Sequence, residues 1–230
     1  MATNSFWFLE NINVTNIFCP QKLGSGALEK HTQKKYKKGA FIYIPNESAS
    51  AMYLISTGRV KIGAYGANNK EITKAILGEG EVFGELSLIG ENKRRDFAYA
   101  MEDTAVCMIT VEEMKSLMKE YSGLQLFLMR IMGNRVLEIE QRLESLVFRD
   151  SRTRIIEYLL GLAQKKGQRV GYETVVRRFL THQDIANLTA TSRQTVTTVL
   201  NDLRAKNIIT FNRKRLLIRD LGLLEKEAAV

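Results

Sequence analysis

The sequence predicts an α+β fold in which a β domain, a long helix and a smaller helical domain with a β-hairpin follow one another. Between Tyr36 and Thr110, β-branched and aromatic residues form short runs that glycine- and asparagine-rich turns separate. From about residue 124 to 147, apolar residues instead recur at spacings of three and four. Two short helical patterns and two strand patterns follow over residues 181–218. We therefore predict three parts, with the boundaries 1–112, 113–148 and 149–230.

The positive charge of the chain is concentrated in its last third. The 230 residues include 34 lysines and arginines against 25 aspartates and glutamates, a formal net charge of +9. Residues 151–230 hold 15 basic and 7 acidic residues, a net of +8, whereas residues 1–150 hold 19 and 18, a net of +1. A polyanionic partner requires a positive field of this kind. The C-terminal part is therefore expected to bind nucleic acid.

The chain carries few of the residues that catalysis or metal binding needs. It has two histidines, His31 and His182, and two cysteines, Cys19 and Cys107. Two cysteines cannot supply the four thiolates of an iron–sulfur cluster, and no ligand spacing suits zinc. No nucleophile–base pair is visible either, so we predict neither an enzyme nor a metal site nor a cofactor. A haem axial ligand from one of these four residues stays open as an alternative.

The sequence also lacks the signals of export and membrane insertion. Its first residues, MATNSFWFLENIN, have neither the basic start nor the apolar run of a signal peptide. No apolar stretch approaches the ~18 residues that cross a bilayer. We therefore expect a cytoplasmic protein with no membrane partner.

The N-terminal half reads as strands after a short segment that is hard to interpret. Residues 1–35 show no convincing period, although Leu23 to Thr32 is compatible with a short helix and the Phe6–Leu9 aromatic cluster with a packing anchor. Strands at regular spacing without intervening helices, as over Tyr36 to Thr110, indicate a barrel or sandwich. Within the last strand pattern Cys107 alternates with its neighbours, so we predict a core residue rather than a reactive thiol.

The long helix carries a narrow apolar stripe between charged flanks. Val111 to Lys119 reads as a lead-in helix, and Leu128 and Ile131 of the long helix can cover the β domain. The stripe itself has the a/d spacing of a coiled coil for nearly three heptads, which predicts a homodimer seam. Its members are Met129, Met132, Val136, Ile139, Leu143 and Leu146. A hinge is expected at residues 148–150.

Residues 181–207 have the pattern of a helix-turn-helix. Thr181 can cap a first helix, Ala190 falls in the turn at a position where glycine is more usual, and Thr191 or Ser192 can cap a second helix. Apolar residues form one stripe of that second helix, and short polar residues face the other way near its N-terminus, where base-reading side chains are needed. The outward residues are Arg193, Gln194, Thr197 and Thr198.

A basic hairpin follows the helix-turn-helix. Strand patterns over 208–211 and 216–218 flank a turn that contains Arg213, Lys214 and Arg215. A cationic tip of this kind can contact phosphates without reading sequence. A further strand is predicted at 174–176, and the whole C-terminal part is therefore interpreted as a winged helix-turn-helix.

Three sequence runs give this order of parts a family resemblance. They are YLI and GRVK at 53–55 and 58–61, GEVFGELSL at 80–88, and SRQTV at 192–196. From Tyr36 to Asp220 the chain resembles the Crp/Fnr family of bacterial transcription regulators, which includes the cyclic-AMP receptor protein and the fumarate–nitrate reduction regulator. The resemblance implies a β jelly roll of the cyclic-nucleotide-binding type, a dimerisation helix, and double-stranded DNA and RNA polymerase as partners.

The resemblance also implies which residues read DNA. Arg193 stands where the family has the arginine that reads guanine, and Gln194 stands where the best-known members have glutamate. Glutamine prefers the adenine edge, so the half-site is expected to differ there. Thr198 replaces a second arginine of many members, while Ser192 and Thr195 are expected to contact phosphates. The full set of expected DNA contacts is Thr181, His182, Ser192, Arg193, Gln194, Thr195, Thr197, Thr198, Arg213, Lys214 and Arg215.

The run at 80–88 is similar to the phosphate-binding cassette of cyclic-nucleotide domains. The expected pocket comprises Phe83, Gly84, Glu85, Leu86, Ser87, Arg94, Arg95 and Asp96. In that resemblance Glu85 would meet the ribose and Arg95 the phosphate. However, Asp96 replaces the usual serine or threonine, and a carboxylate repels a phosphate. Ile139 and Glu140 replace the residues that meet adenine.

These departures predict an effector other than cyclic AMP, or none. Arg95 is then expected to pair with Asp96 or Glu85. The alternatives are a cyclic-nucleotide-responsive regulator, and a ligand-sensing module whose C-terminal domain contacts protein.

Overall fold

The computed structural model describes residues 8–9, 12–13, 32–67 and 70–228. The predictions made for Phe6, Trp7, Cys19, His31 and residues 23–31 lie outside the described residues. At the N-terminus β1 (Phe8–Leu9) pairs with β2 (Ile12–Asn13) in an antiparallel manner. The chain divides into two compact units, residues 1–136 and 137–230. One long helix contributes to both of them.

The first unit contains two four-stranded antiparallel sheets. Its strands are β3 (Thr32–Tyr36), β4 (Phe41–Tyr43), β5 (Ala51–Thr57), β6 (Val60–Tyr65), β7 (Glu71–Leu77), β8 (Val82–Phe83), β9 (Phe97–Ala100) and β10 (Thr104–Thr110). They are ordered β3-β10-β5-β8 in one sheet and β4-β9-β6-β7 in the other. A 3-10 helix, Glu85–Ile89, follows β8. This arrangement confirms the predicted β jelly roll.

Strand β10 is buried on both of its faces, because both sides of its sheet are covered. Its odd-numbered residues Cys107 and Ile109 belong to a core cluster with the helices that follow, and Val106 belongs to the cluster between the two sheets. Cys107 is 2% exposed, which confirms the predicted core position. The simple in–out alternation of a half-buried strand therefore does not apply here.

Two helices complete the first unit and lead out of it. Helix α1 (Val111–Glu120) begins at a capping box, in which Thr110 and Glu113 satisfy each other's backbone N–H groups. Helix α2 (Ser122–Phe148) follows after Tyr121. Its first turns bury Leu124, Phe127 and Leu128 against β5 and β10, with Ile131 partly buried beside them. The prediction that Leu128 and Ile131 cover the β domain is confirmed.

The second unit combines helices with a four-stranded sheet. Its elements are α3 (Ser151–Lys166), β11 (Gly167–Val170), β12 (Glu173–Arg177), α4 (His182–Thr189), α5 (Arg193–Ala205), β13 (Ile209–Phe211), β14 (Arg215–Ile218) and α6 (Leu221–Ala228). The sheet order is β11-β12-β14-β13. The strand predicted at 174–176 and the predicted hairpin are confirmed as β12 and as β13–β14. Strand β11 and helix α6 were not predicted.

Buried apolar side chains come from most elements of the second unit. Helix α3 supplies Ile155, Ile156 and Leu159, all fully buried. The other elements add Val176, Ile185, Val196, Leu200, Leu203, Ile209, Leu216, Ile218 and Leu224. The chain between α2 and α3 is not helical, and Asp150 caps α3 by accepting the N–H of Thr153 at 2.7 Å. Among the described residues, no helix is long and apolar enough to cross a membrane.

Candidate nucleic-acid interface and effector site

Both helices of the helix-turn-helix begin at hydroxyl caps. The Thr181 hydroxyl accepts the N–H of Asp184 at 3.1 Å, and the Ser192 hydroxyl accepts the N–H of Thr195 at 3.0 Å. Each cap satisfies a donor that the first helical turn leaves without a backbone partner. Between them Ala190 adopts the left-handed conformation, with φ at 50°. The turn therefore has the geometry predicted from the sequence, although alanine occupies a position that favours glycine.

Helix α5 presents one buried and one exposed face. Val196, Val199, Leu200 and Leu203 are buried. Arg193, Gln194 and Thr198 are exposed on the opposite side, within the first two turns. These three side chains can reach the edges of bases when the N-terminus of the helix enters a major groove.

Thr197 is more constrained than the sequence predicts. It is half-buried, and its hydroxyl donates to the carbonyl oxygen of Arg193 at 2.9 Å. Its oxygen also lies 2.8 Å from Nδ1 of His182. A hydroxyl has one hydrogen, so Nδ1 of His182 is the donor in that second bond. Thr197 therefore links α4 to α5, which explains why it does not face outward with Thr198.

His182 lies where α4, α5 and β13 meet. Its ring packs edge-on against Phe211, with the centroids 5.7 Å apart. Burial of the ring lowers the pKa of His182, and the nearby Arg193 guanidinium lowers it further. The neutral ring with its proton on Nδ1 is thus the form that suits this junction.

The tip of the wing is shaped by one asparagine. The Asn212 side chain accepts the backbone N–H groups of Lys214 and Arg215 at 2.8 and 2.9 Å. Arg213, Lys214 and Arg215 are all exposed, as predicted for a cationic tip. The backbone N–H of Phe179 donates to the carbonyl of Lys214 at 3.2 Å, which ties the start of the helix-turn-helix to the wing.

An ion-pair network fixes the far end of α5. Arg152 of α3 contacts Asp202 at 2.7 Å and also Glu227 of α6, and Lys206 contacts Glu227 at 2.8 Å. Hydrogen bonds from these cations lower the pKa of both carboxyl groups. The network joins the C-terminal end of α5 to α3 and α6. It therefore helps to hold α5 in place while the polar face at its N-terminus stays exposed.

Side chains of the first unit itself form contacts with the cassette at residues 80–88. Gly84 has φ at 75°, and a Cβ there would lie 2.9 Å from Nη1 of Arg94, so glycine is required. Glu85 is 1% exposed and forms an ion pair with Arg135 of α2. Arg135 also donates to the carbonyl of Val82 at 2.6 Å. Phe83 is buried and Ser87 donates to the Gly84 carbonyl at 2.8 Å, whereas Leu86 is exposed.

The expected pairing of Arg95 with Asp96 or Glu85 is wrong. The Arg95 side chain is 81% exposed and pairs with Glu91, while Asp96 pairs with Lys74 at 3.1 Å. The reason is backbone pairing: Arg94 exchanges hydrogen bonds with the segment at Asn46 and Glu47. This pairing points the side chain of residue 94 into the barrel and that of residue 95 outward.

Arg94 takes the inward position instead, although the sequence places it in the pocket without a specific contact. Its guanidinium carbon lies 4.4 Å from the ring centroid of Tyr43 and 5.7 Å from that of Tyr53. It donates to the carbonyl of Gly84 at 3.1 Å and to that of Ala51. The only signal in the sequence was the aromatic pair that can hold a cation. The guanidinium of Arg94 therefore binds backbone carbonyl groups of the cassette and of β5.

The predicted dimer seam lies on the surface of the protomer. Met129, Val136, Ile139, Leu143 and Leu146 are between 48% and 68% exposed, and Met132 is half-buried. An apolar stripe this exposed on a single chain is typical of a surface that contacts another protein. Within the described residues, no cluster of three or more His, Cys, Asp or Glu side chains is arranged to hold a metal ion.

Comparisons with known proteins match both parts of the chain. A model of the cyclic nucleotide-binding domain matches residues 33–121, and a model of the Crp-like helix-turn-helix domain matches residues 153–227. The chain is 30% identical over 207 residues to the global nitrogen regulator of Nostoc sp., covering 89% of this chain and 92% of that protein. It is also 30% identical over 202 residues to the cyclic AMP receptor protein of Thermus thermophilus, covering 88% and 90%.

A solved structure extends the similarity to three dimensions. A mutant of CooA from Carboxydothermus hydrogenoformans superposes with a TM-score of 0.80 at 28% identity, covering 96% of this chain and 98% of that one. The similarity therefore spans both units of the chain.

Proposed function

This chain belongs to the Crp/Fnr family of DNA-binding transcription regulators, and on that premise we propose that it reads a pseudo-palindromic operator as a homodimer. The observation that carries the proposal is the exposed polar face at the capped N-terminus of α5, beside a basic wing. Arg193 would donate two hydrogen bonds to O6 and N7 of guanine, and Gln194 would pair with an adenine edge. Thr198 is too short for a second guanine contact of this kind.

The dimer sets the spacing of the two recognition helices. The exposed stripe of α2 would pair with the same stripe of a second copy, as in a two-stranded coiled coil. Two-fold symmetry then requires a two-fold symmetric site, with half-sites ~34–36 Å apart. The effector, if one is used, would shift the population between two arrangements of the segment at residues 148–150.

Selection of bound sequences from random DNA tests this proposal directly. The expected result is a two-part consensus with inverted halves about one helical turn apart, with guanine at the position that Arg193 reads. Selection in parallel with and without cell extract reports whether an effector is needed. If selection enriches no sequence, and a gel shift shows no salt-dependent binding to DNA, the alternative in which the C-terminal unit contacts protein is favoured.

We further propose that cyclic AMP is not the physiological effector. Arg95, where the family's phosphate-pairing arginine stands, points outward and pairs with Glu91. Asp96, which pairs with Lys74, puts a carboxylate where the family has serine or threonine, and Glu85 is already paired with Arg135. Ile139 and Glu140 offer adenine no hydroxyl groups. The proposal includes no cofactor.

Isothermal titration of the purified protein with cyclic AMP tests this second proposal. We expect no heat of binding at micromolar concentrations and no change in affinity for the selected operator. Micromolar binding that also tightens the operator complex would instead support the cyclic-nucleotide-responsive alternative, to which the match over residues 33–121 gives weight.

The absorption spectrum of the same preparation checks for haem.

The proposal includes RNA polymerase as a partner and the bacterial cytoplasm as the location, since a regulator acts where the chromosome is transcribed. In vitro transcription from a promoter that carries the selected operator would give the sign of regulation. Equal transcript levels with and without the protein would count against any direct effect on the polymerase.

A further inference from the structure

Two arginines face each other across the wing sheet at the end that carries the wing tip. In the register of β12 and β14, Arg177 lies directly opposite Arg215. Their neighbours Val176 and Leu216 are buried, so both arginine side chains project from the other, exposed face of the sheet. Directly opposed residues of an antiparallel pair have Cβ atoms about 4.5–5.5 Å apart. The two side chains therefore leave the same face of the sheet side by side.

Nothing in the described chain neutralises this pair. Among the described residues, neither Arg177 nor Arg215 forms an ion pair with a carboxylate. The sequence offers no local acid either, because residues 174–183 and 207–219 contain no Asp or Glu. Like charges directly opposite each other destabilise a strand pair. The folded protein therefore gains nothing from this arrangement by itself, and the pair suits an anion held between the two side chains.

The pair lies at the end of the unit that carries the candidate DNA contacts. Only four residues separate Arg177 from His182 at the start of α4, and the Phe179 N–H binds the carbonyl of Lys214 in the wing turn. His182 in turn bonds to Thr197 on the recognition helix. Arg177, Arg215, the wing tip and the N-terminus of α5 are thus connected by short, direct contacts.

We propose that Arg177 and Arg215 together bind one phosphate of the DNA backbone beside the half-site. This inference rests on the proposed function and adds Arg177 to the residues expected at the interface. A guanidinium is a planar fork that matches phosphate oxygens, and two of them on one anion remove the repulsion between the arginines. The contact fixes position along the duplex and carries no sequence information.

The test uses the full-length protein and fluorescently labelled duplexes, one with the operator selected by the wild-type chain and one scrambled. Dissociation constants are measured over a range of salt concentrations for wild type, Arg177→Ala, Arg177→Lys and the control Arg169→Ala. Arg169 is an exposed arginine of β11 whose strand partner is Thr174, toward the other end of the same sheet.

Arg177→Ala is expected to weaken binding to both duplexes by the same factor. The slope of log affinity against log salt should become shallower by up to ~0.9, the value for one phosphate contact. Arg177→Lys should retain most of the slope, and Arg169→Ala should match wild type. Thermal unfolding without DNA should show Arg177→Ala to be as stable as wild type or more stable, because the repulsion is removed.

The inference is overturned if Arg177→Ala has the salt slope of Arg169→Ala, or if it loses thermal stability, which would indicate a structural role. A larger loss on the operator than on the scrambled duplex would also overturn it, since that result indicates base reading. Wild-type protein that binds no duplex would refute the proposed function itself, and that outcome is distinct from the others.

Discussion

At the scale of single residues, one threonine hydroxyl decides how the two helices of the motif meet. Thr197 donates to the carbonyl of Arg193 and accepts from Nδ1 of His182, so its only hydrogen is used within the protein. Because Nδ1 already donates, any added proton must go to Nε2. The resulting imidazolium would lie near the Arg193 guanidinium, and the Arg204 guanidinium carbon lies 5.2 Å from the centroid of the Phe211 ring that His182 contacts. Asp184 is the nearest acid in the sequence, two residues along α4.

This environment predicts a pH dependence of stability. The pKa of His182 is lowered in the folded state, chiefly by burial and then by Arg193. Below about pH 6.5, the ordinary histidine value, the unfolded chain therefore takes up more protons than the folded chain, and the free energy of unfolding falls. Above that pH the stabilisation is fully present. His182→Asn, which cannot titrate, should lose less stability between about pH 7.5 and about pH 5.5 than wild type does.

Urea unfolding at the two pH values measures this difference. Asparagine keeps a donor close to the position of Nδ1, so the bond to Thr197 can persist in the variant. An equally steep loss of stability in His182→Asn and wild type would show that the titration of His182 does not account for the pH dependence.

Arg193 carries the sequence-specific part of the proposed function, and its replacement should show this. Arg193→Ala is expected to weaken binding to the selected operator by about 1–3 kcal/mol, the value of one bidentate contact to guanine. Binding to a scrambled duplex should weaken much less, because only a nearby positive charge is lost there. Equal losses on the two duplexes, measured by fluorescence anisotropy, would assign Arg193 to the phosphates instead.

At the scale of elements, features that depend on neighbouring residues were predictable from the sequence, whereas features that depend on backbone pairing between distant segments were not. Capped helices and the wing hairpin are local features, so Thr181, Ser192 and the hairpin turn were predictable from a few neighbouring residues. The orientation of Arg94 and Arg95 depends on pairing with residues 46–47, nearly fifty positions earlier in the chain. No short-range pattern contains that information, so the arginine that enters the barrel could not be identified from the sequence.

The edges of the second unit were missed for a related reason. Strand β11 has the sequence GQRV, which lacks a run of β-branched residues, and it becomes a strand because it pairs with β12 at the edge of the sheet. Helix α6 has a short apolar pattern with only Leu224 buried. Glu227 of this helix also binds Arg152 of α3 and Lys206 at the end of α5.

The network around Arg152 should therefore stabilise the second unit measurably. A surface ion pair contributes about 0–1 kcal/mol to the free energy of unfolding. The network around Arg152 joins two acidic and two basic side chains that are partly shielded from water. Arg152→Ala should lower the free energy of unfolding by about 1 kcal/mol, seen as a lower midpoint in urea. The control Lys226→Ala removes a cation from the same helix as Glu227, and Lys226 forms no ion pair with any carboxylate in the described part of the chain. Equal effects of the two substitutions would show that the network is dispensable.

At the scale of the whole molecule, the proposed function depends on α2 more than on any DNA contact. A single recognition helix reads a half-site, and only a two-fold dimer reads both halves of an operator. The stripe from Met129 to Leu146 is too exposed on one chain to serve a protomer alone. Covering it with a second copy removes apolar surface from water, which is the dominant favourable term in association.

A charge placed in the middle of this stripe should consequently separate the subunits. Leu143→Asp would bury one unpaired carboxylate per subunit in the seam, and burial of an unpaired charge is strongly unfavourable. We expect a shift from dimer to monomer in analytical ultracentrifugation, and a rise of at least about a hundredfold in the dissociation constant for the operator, corresponding to about 3 kcal/mol. The matched control is Gln141→Asp, which puts the same charge on the opposite, exposed side of α2 two residues earlier. A dimeric Leu143→Asp protein that still binds the operator would mean that the subunits associate through another surface, and the spacing of the half-sites would then have to be derived from that surface.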